Sequence, residues 1–491
     1  MRKCGILMPI FSLASPGGIG TFGKEAYRFI DFLKASKQSY WQILPLTPTG
    51  HGDSPYSSFA AFAGNPYFID IEFLITEGLL SKEEFDSFDF GNNPHKVEYT
   101  KFYGKRLELL KLAFKRFSPD DEYNRFLTEN AFWLNDYALF MAIKAVNNEA
   151  GWLDWPQSLR RRDKDALSEI EKDLANDIAF YKFLQFKFSQ QWFKLKLYAN
   201  ENGIKIIGDI PIYVALDSCD VWANTDQFQL DDGFKPTAVA GVPPDAFAED
   251  GQLWGNPLYD WKKMKTDGYT WWVNRMKHAL KLYDVVRIDH FRGFESYFSI
   301  PADSKTAKDG KWVKGPDMAL FRQFKKDIGE DLPIIAEDLG YLTLEVKKLL
   351  KNTGYPGMKV LQFAFDGDSN NDYLPYNHQK NSVVYTGTHD NDTIIGWTKT
   401  AHPNEVKRAE EFLNVKRNNG LNWAMLRCAL MSPADTCILM MPDIISLDEK
   451  GRINTPSVVG GNWNWRMDSY CINDWLSKIL ADLTVLYGRD N

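Results

Sequence analysis

Residues 180–209 read FYKFLQFKFSQQWFKLKLYANENGIKIIGD. Phe180, Leu184, Phe188, Trp192 and Leu195 recur at helical spacing and form one apolar stripe. Gly203 follows as a C-terminal cap, and the short apolar run Ile204–Gly208 then ends on Asp209. The same unit repeats down the chain. A helical pattern around Trp271–Tyr283 leads to Val285–Ile288 and ends on Asp289. Another, around Met318–Ile328, leads to Leu332–Ala336 and ends on Glu337-Asp338. A further copy runs from Leu344–Leu350 through Gly354 to Met358–Phe365 and Asp366. Val383–Tyr385 leads into Thr388-His389-Asp390, and Ile438–Met441 into Pro442-Asp443. Outward from this core, Cys4–Ile10 and Trp41–Pro45 supply the first two strands.

Helices alternating with short β-rich runs argue for parallel strands joined by crossover helices. Polar residues concentrated just after the strands are what the C-terminal face of a (β/α)₈ barrel displays. An open doubly wound sheet is the alternative. Two gaps break the rhythm, one between strands 2 and 3 and one between strands 3 and 4. Periodicity alone separates barrel from open sheet poorly; taken as a barrel, the chain is one domain over residues 1–491 with two insertions. The first, a mainly helical subdomain, spans about 66–180, and the second spans about 212–280 and carries a loop at 241–254. Neither insertion is of low complexity.

Bulk composition removes several classes of function. A net charge of −7 gives no basic field for nucleic acid or an anionic membrane, so neither is an expected partner. The apolar run after Met1-Arg2-Lys3 is broken by Pro9 and Ser12, too early for a signal peptide. Five scattered cysteines without a C-x-x-C pair fit a reduced, cytoplasmic setting. Gly18-Ile19-Gly20-Thr21-Phe22-Gly23 matches a dinucleotide fingerprint, but seven residues separate it from Ile10 and the next strand ends without a carboxylate. These glycines are read as shaping a loop.

The chemistry resides in carboxylates at strand ends. In a strand, Arg287 and Asp289 point the same way, and a guanidinium beside a carboxylate keeps it ionised and oriented, as a nucleophile requires. A buried ion pair that satisfies only itself is the alternative. Glu337 closes an apolar strand among other acids, which raises a carboxyl pKa toward that of a general acid. Asp338 competes for that role, its other use being a cap for the following helix. Asp390 is a third acid, with an N-cap as its alternative use. Three converging acids fit a retaining double displacement, with about 5–5.5 Å between nucleophile and acid. A metal site is the rival use. The seven histidines show no H-E-x-x-H or similar spacing, so neither metal nor cofactor is expected.

The chain resembles the 4-α-glucanotransferases (amylomaltases, or disproportionating enzymes), relatives of the α-amylases, over nearly its whole length. The likeness is carried by Ser54–Phe59, Ala63–Pro66, Gly208–Val214, Ala240–Asp245, Trp254–Pro257, Arg287–Gly293, Ala336–Gly340, Thr388–Asn391 and Gly461–Trp463. It implies Asp289 as nucleophile, Glu337 as acid/base and Asp390 as the acid that grips the distorted sugar. It implies Arg287, Asp209, His389 and Tyr56 around the attacked sugar, with Asp245 and Asn462 as further substrate contacts. Segment 241–254 resembles the family's mobile loop, in which Phe247 and Trp254 cover the acceptor glucan. After Asp209 the Asn-His of many α-amylases is missing, so their calcium site is not implied. The implied reaction moves α-1,4-glucan segments to a 4-hydroxyl of glucose or a maltooligosaccharide. The alternatives are an α-1,4-glucan hydrolase and a non-catalytic glucan-binding protein. Oligomeric state is not legible in the sequence.

Overall fold

The computed structural model describes residues 2–244, 249–340, 342–416 and 420–490. Eight parallel strands form the core: β1 (Lys3–Leu7), β2 (Tyr40–Gln42), β3 (Lys205–Ile210), β4 (Val285–Ile288), β5 (Ile334–Ala336), β6 (Gly357–Val360), β7 (Ser382–Tyr385) and β8 (Thr436–Met440). They are hydrogen-bonded in the order β6-β7-β8-β1-β2-β3-β4-β5. This is the order of the chain taken around a ring, the topology of a (β/α)₈ barrel.

The seam between β5 and β6 is closed by two bonds. Ala336 N–H donates to Pro356 O at 3.0 Å, and Met358 N–H donates to Asp338 Oδ1 at 2.6 Å. Asp338 is thus a buried strut across the seam, while Thr343 caps the following helix with its own side chain. Its neighbour Gly357 has to be glycine, because a Cβ there would lie 2.5 Å from Asp338 Oδ2.

The sequence pattern explains the outer layer. Helix Ala175–Glu201 buries Phe180, Leu184, Phe188, Trp192 and Leu195, and Gly203 after it takes φ +79°. Trp192 is fully buried, and truncation to alanine should cost about 3–5 kcal/mol. Gly208 in β3 lets Tyr283 pack flat on the strand, since a Cβ would meet that ring at 2.1 Å. The apolar run after Gly357 does not remain a strand: it turns into a 3₁₀ helix at Leu361–Phe363.

Between β2 and β3 the chain forms a set of helices, the longest before Ala175 being Tyr99–Arg116 and Ala131–Val146. Between β3 and β4 lie the strands Ala238–Val242 and Gln252–Pro257. These join Ser296–Pro301 and Lys311–Lys314, which come after β4, in one four-stranded antiparallel sheet. That sheet stands beside the C-terminal ends of the barrel strands and presents Trp254 toward them. Gly18 (φ +85°) sits in a loop, and a Cβ on Gly20 would lie 1.8 Å from Ile10 O, so the glycine-rich stretch serves chain packing.

Candidate active site

Asp209, Asp289, Glu337 and Asp390 lie at the C-terminal ends of β3, β4, β5 and β7. Parallel register sets them side by side: Asp209 is paired with Arg287 and Ile288 with Ala336. Asp289 N–H donates to Ile210 O, and Glu337 N–H to Ile288 O, both at 3.0 Å.

Arg287 is the hub. Its Nη1 bonds Asp209 Oδ2 at 2.5 Å, and its Nη2 bonds Asp289 Oδ1 at 3.0 Å. Arg287 and Asp209 are buried, whereas the Asp289 side chain is 29% exposed and opens to the cleft. Of the pair, only Asp289 therefore reaches solvent, which is not the arrangement of a self-satisfied core ion pair. Tyr56 Oη–H donates to Asp209 Oδ2 at 2.8 Å and lies 3.4 Å from His389 Nδ1. The Tyr56 ring stacks on His389 with centroids 5.0 Å apart. Burial and then the Asp209 charge hold the Tyr56 hydroxyl protonated, well above the ordinary phenol range.

Glu337 has a different environment. Its Oε2 accepts His290 N–H at 2.8 Å and its Oε1 accepts Leu339 N–H at 2.6 Å. Among the described residues it has no ion-pair partner. Burial, then the Asp289 charge, push its pKa up to about 7, against the opposing pull of Arg287 and the two N–H groups. Burial also raises Asp289, but adjacent Arg287 opposes it more directly. The two carboxyls are coupled, and the proton they share belongs on Glu337, because Arg287 touches Asp289. Each Glu337 oxygen has a second lone-pair site left for a proton or a substrate oxygen. His290 links the two acids. It follows Asp289 in a left-handed conformation (φ 49°), a strain that aims its N–H at Glu337 and its ring beneath Trp254.

Asp390 is 47% exposed at its side chain, and His389 Nε2 lies 3.5 Å from its Oδ1. It does not cap the next helix: Thr393 does so with its own hydroxyl. Asn454, absent from the sequence-derived set, donates to Asp390 Oδ1 at 2.6 Å. Trp463, which the sequence motif included without a role, stacks near Tyr56 and His389 at 5.6 and 5.8 Å.

A cleft of about 740 Å³ is lined by Tyr56, Trp254, Asp289, His290, Asp390 and Trp463. Trp254 is partly exposed over it, 4.9 Å from the His290 ring in an edge contact. Glu337 is not among the lining residues; it meets the cleft wall through its bond to His290 N–H. Asn462 does not line the cleft. Its Oδ1 accepts Thr455 N–H and its Nδ2 donates to Thr455 O and Val458 O, so it braces the loop that forms one wall. Asp245 and Phe247 lie outside the described residues.

Residues 8–472 match the family model described as 4-alpha-glucanotransferase. The chain is 48% identical to the 4-alpha-glucanotransferase of Clostridium butyricum, over 98% of this chain and 100% of the relative. It is 47% identical to that of Streptococcus pneumoniae serotype 4, over 100% of this chain and 98% of the relative. Its fold superposes on the amylomaltase from Streptococcus agalactiae in complex with acarbose with a TM-score of 0.97, at 42% identity and full coverage of both chains.

Proposed function

The chain belongs to the 4-alpha-glucanotransferase family, and on that premise we propose that Asp289 is its nucleophile, Glu337 its acid/base and Asp390 its sugar-gripping acid. The reaction it performs moves a segment of α-1,4-glucan onto a new 4-hydroxyl.

In the first step an Asp289 oxygen attacks the anomeric carbon, and the C1–O4 bond breaks as Glu337 gives its proton to the departing O4. The product is a glycosyl ester on Asp289. In the second step the 4-hydroxyl of an acceptor attacks the same carbon, Glu337 takes the hydroxyl proton and Asp289 leaves as carboxylate. The observation that carries this assignment is the electrostatic contrast between the two acids. Asp289 is bonded to Arg287, while Glu337 is held by neutral N–H groups and keeps a raised pKa. Asp209, Tyr56 and His389 fix Arg287 and the wall beside the attacked sugar, and Trp254 covers the acceptor side. Asn462 acts through the loop it braces. The four buried cysteines and the half-buried Cys471, none of them bonded to another, support a reducing, cytoplasmic location. Among the described residues no helix is long and apolar enough to cross a membrane.

The test is a product profile. Maltotriose alone should yield glucose and a ladder of longer maltooligosaccharides, with total reducing ends nearly constant. Asp289→Ala should abolish this while the protein remains folded, and a fluoro-glucosyl trap should label Asp289. Label on another carboxylate overturns the assignment. A steady rise in reducing ends without longer products makes the enzyme a hydrolase.

A further inference from the structure

Asp443 follows β8 in the short helix Met441–Ile444, is buried and does not line the catalytic cleft. Its two oxygens hold two donors from one neighbouring segment. Thr386 Oγ–H donates to Oδ2 at 2.9 Å, and Ile394 N–H donates to Oδ1 at 2.7 Å. Thr386 is the first residue after β7, and Ile394 opens the helix Ile394–Thr400. The loop between them carries His389 and Asp390. We propose that Asp443 is a positioning residue for Asp390: one carboxyl, delivered by the adjacent strand, clamps both roots of the loop and so sets where Asp390 stands over the attacked sugar. The proposal rests on the reading of Asp390 as the sugar-gripping acid.

Three observations carry it. First, the loop is closed on itself between its roots. Thr388 donates its N–H and its hydroxyl to Asn391 Oδ1 at 2.8 and 2.9 Å. Asn391 N–H returns to Thr388 O at 3.1 Å, and Asp390 N–H donates to Thr388 Oγ1 at 3.3 Å. A turn held by its own bonds moves as a unit, so its orientation is set where it joins the barrel. Second, the clamp is more than a helix cap. Ile394 N–H is one of the unpaired donors of a helix start, and a single acceptor would satisfy it. Thr393 already supplies the side-chain cap, to Gly396 N–H at 3.0 Å. The second Asp443 oxygen reaches back to the other root, Thr386, which a cap does not require. Third, Asp443 is anchored from its far side. Asn422, on helix Leu421–Met431, donates its Nδ2 to Asp443 O at 3.4 Å and to Ser446 Oγ at 2.8 Å. β8 itself lies in parallel register with β7, Ile438 against Tyr385.

Asn454 and Asp443 thus act on different parts of one loop. Asn454 touches the Asp390 side chain at the tip, and Asp443 touches only the roots. Burial pushes Asp443 up to about 7, against the pull of its two donors. The clamp holds in either protonation state. In the neutral acid the carbonyl oxygen keeps Ile394 N–H, and the acid hydroxyl donates to Thr386 Oγ with the roles exchanged. Asparagine has the shape of that neutral acid and makes the same pair of bonds.

The test compares Asp443→Ala, Asp443→Asn and Thr386→Val in the full chain, each with Asp390 intact and with Asp390→Asn. Turnover is read as fluoride release from α-glucosyl fluoride, and thermal unfolding shows that each variant is folded at the assay temperature. With Asp390 intact, Asp443→Ala should lower kcat roughly 10- to 100-fold with KM within about twofold, the mark of a displaced group that acts on the distorted sugar. Thr386→Val frees one root and should cost several-fold, while Asp443→Asn should stay within a few-fold of wild type. In the Asp390→Asn background the same substitutions should cost no more than about threefold, because the group they position is already gone. Losses by equal factors in both backgrounds make Asp443 a part of the fold only and overturn the proposal. Where Asp443→Ala does not fold, Thr386→Val in the two backgrounds decides in the same way. If Asp390→Asn alone turns over like wild type, it is the reading of Asp390 that has failed, and the clamp has nothing to position.

Discussion

Asn454 donates its side-chain N–H to Asp390 Oδ1 at 2.6 Å, tying the loop after β8 to the acid after β7. The same residue's backbone N–H donates to His389 O at 3.1 Å, and Arg452 Nη2 reaches Asp390 O at 3.2 Å. One oxygen of Asp390 is thereby fixed and the other is left for sugar hydroxyls. A hydrogen bond to a charged group contributes about 1.5–3 kcal/mol. On the proposed role of Asp390, a grip tightest on the distorted sugar, Asn454→Ala should lower kcat roughly 10- to 100-fold, with a smaller change in KM. A pure KM effect in steady-state kinetics would show that Asn454 supports ground-state binding instead.

Glu337→Gln removes the proposed proton donor and leaves Arg287–Asp289 in place. Transfer from maltotriose should fall by roughly 10²–10⁴-fold. Glycosylation from a donor whose leaving group needs no protonation, such as α-glucosyl fluoride, should be largely spared. Equal losses with both donors would remove Glu337 from the acid role. Asp338 would not inherit it readily, since it is buried in the seam with Met358 N–H.

On the proposed roles, activity needs Asp289 ionised and Glu337 protonated, so kcat/KM should trace a bell against pH. Glu337 is raised to about 7 by burial and by the Asp289 charge, so the alkaline limb should fall near neutrality. The acid limb reports protonation of Asp289, which burial raises and Arg287 lowers. Both apparent values belong to the coupled pair. In Glu337→Gln, assayed with glucosyl fluoride, the alkaline limb should vanish and the acid limb stay where it is, because Glu337 is already neutral over the pH range in which Asp289 ionises. An unmoved alkaline limb would assign it to another group.

The same shifts bear on stability, with a sign opposite to that of an ordinary salt-bridged acid. Glu337 rises from 4.5 to about 7, Asp443 from 3.8 to about 7 and Asp220 from 3.8 to about 6, burial being the first cause in each. Between the unfolded and folded values the native state binds more protons than the unfolded one, so stability falls as pH rises through this window. Tm should drop from pH 5 to pH 8 and level off above it. Glu337→Gln should flatten part of that slope. A Tm that climbs from pH 5 to 8 would mean that these carboxyls are not held neutral.

Parallel strands with crossover helices were legible because β3, β4, β5 and β7 are apolar runs followed by polar residues, as burial on two sides and solvent at one end require, and the resemblance decided for a barrel over an open sheet. That rule places Asp338, Asp366 and Asp443 at strand ends as well as Asp209, Asp289, Glu337 and Asp390. The resemblance to the glucanotransferases supplied their roles. Other parts left no local trace. The sheet that carries Trp254 pairs Ala238–Val242, before β4, with Ser296–Pro301, after it, and antiparallel pairing across such distance has no periodic signature. Asp338 shows as an acid after a strand, but its partner Met358 is set by barrel closure. Asn454 sits in a loop without pattern, and only the fold brings it to Asp390. Asn462 was placed among substrate contacts, and its amide is instead taken up by its own loop.

The proposed role of Trp254 is to decide what resolves the glycosyl ester. Water in bulk far outnumbers any sugar hydroxyl, so transfer prevails only where an acceptor is held and water is kept out. Trp254 sits in the hairpin strand Gln252–Pro257, its indole N–H on Gln252 Oε1 at 3.0 Å and its ring edge-on to His290 at 4.9 Å. His290 in turn directs its N–H to Glu337, so the aromatic cover and the acid/base share one support. On the proposed reading the flat indole face offers an apolar surface to an acceptor glucose in the cleft that Asp390 also lines. Trp254→Ala removes that surface and leaves the carboxylates and Arg287 untouched. The first step should then proceed at a rate within a few-fold of wild type, while the ratio of transfer to hydrolysis drops by roughly tenfold or more, the loss of one stacked aromatic contact plus admitted water. Counting reducing ends against longer products from maltotriose measures this directly. If the variant slows transfer and hydrolysis equally, Trp254 supports the first step and the cover must lie elsewhere in the 241–254 hairpin.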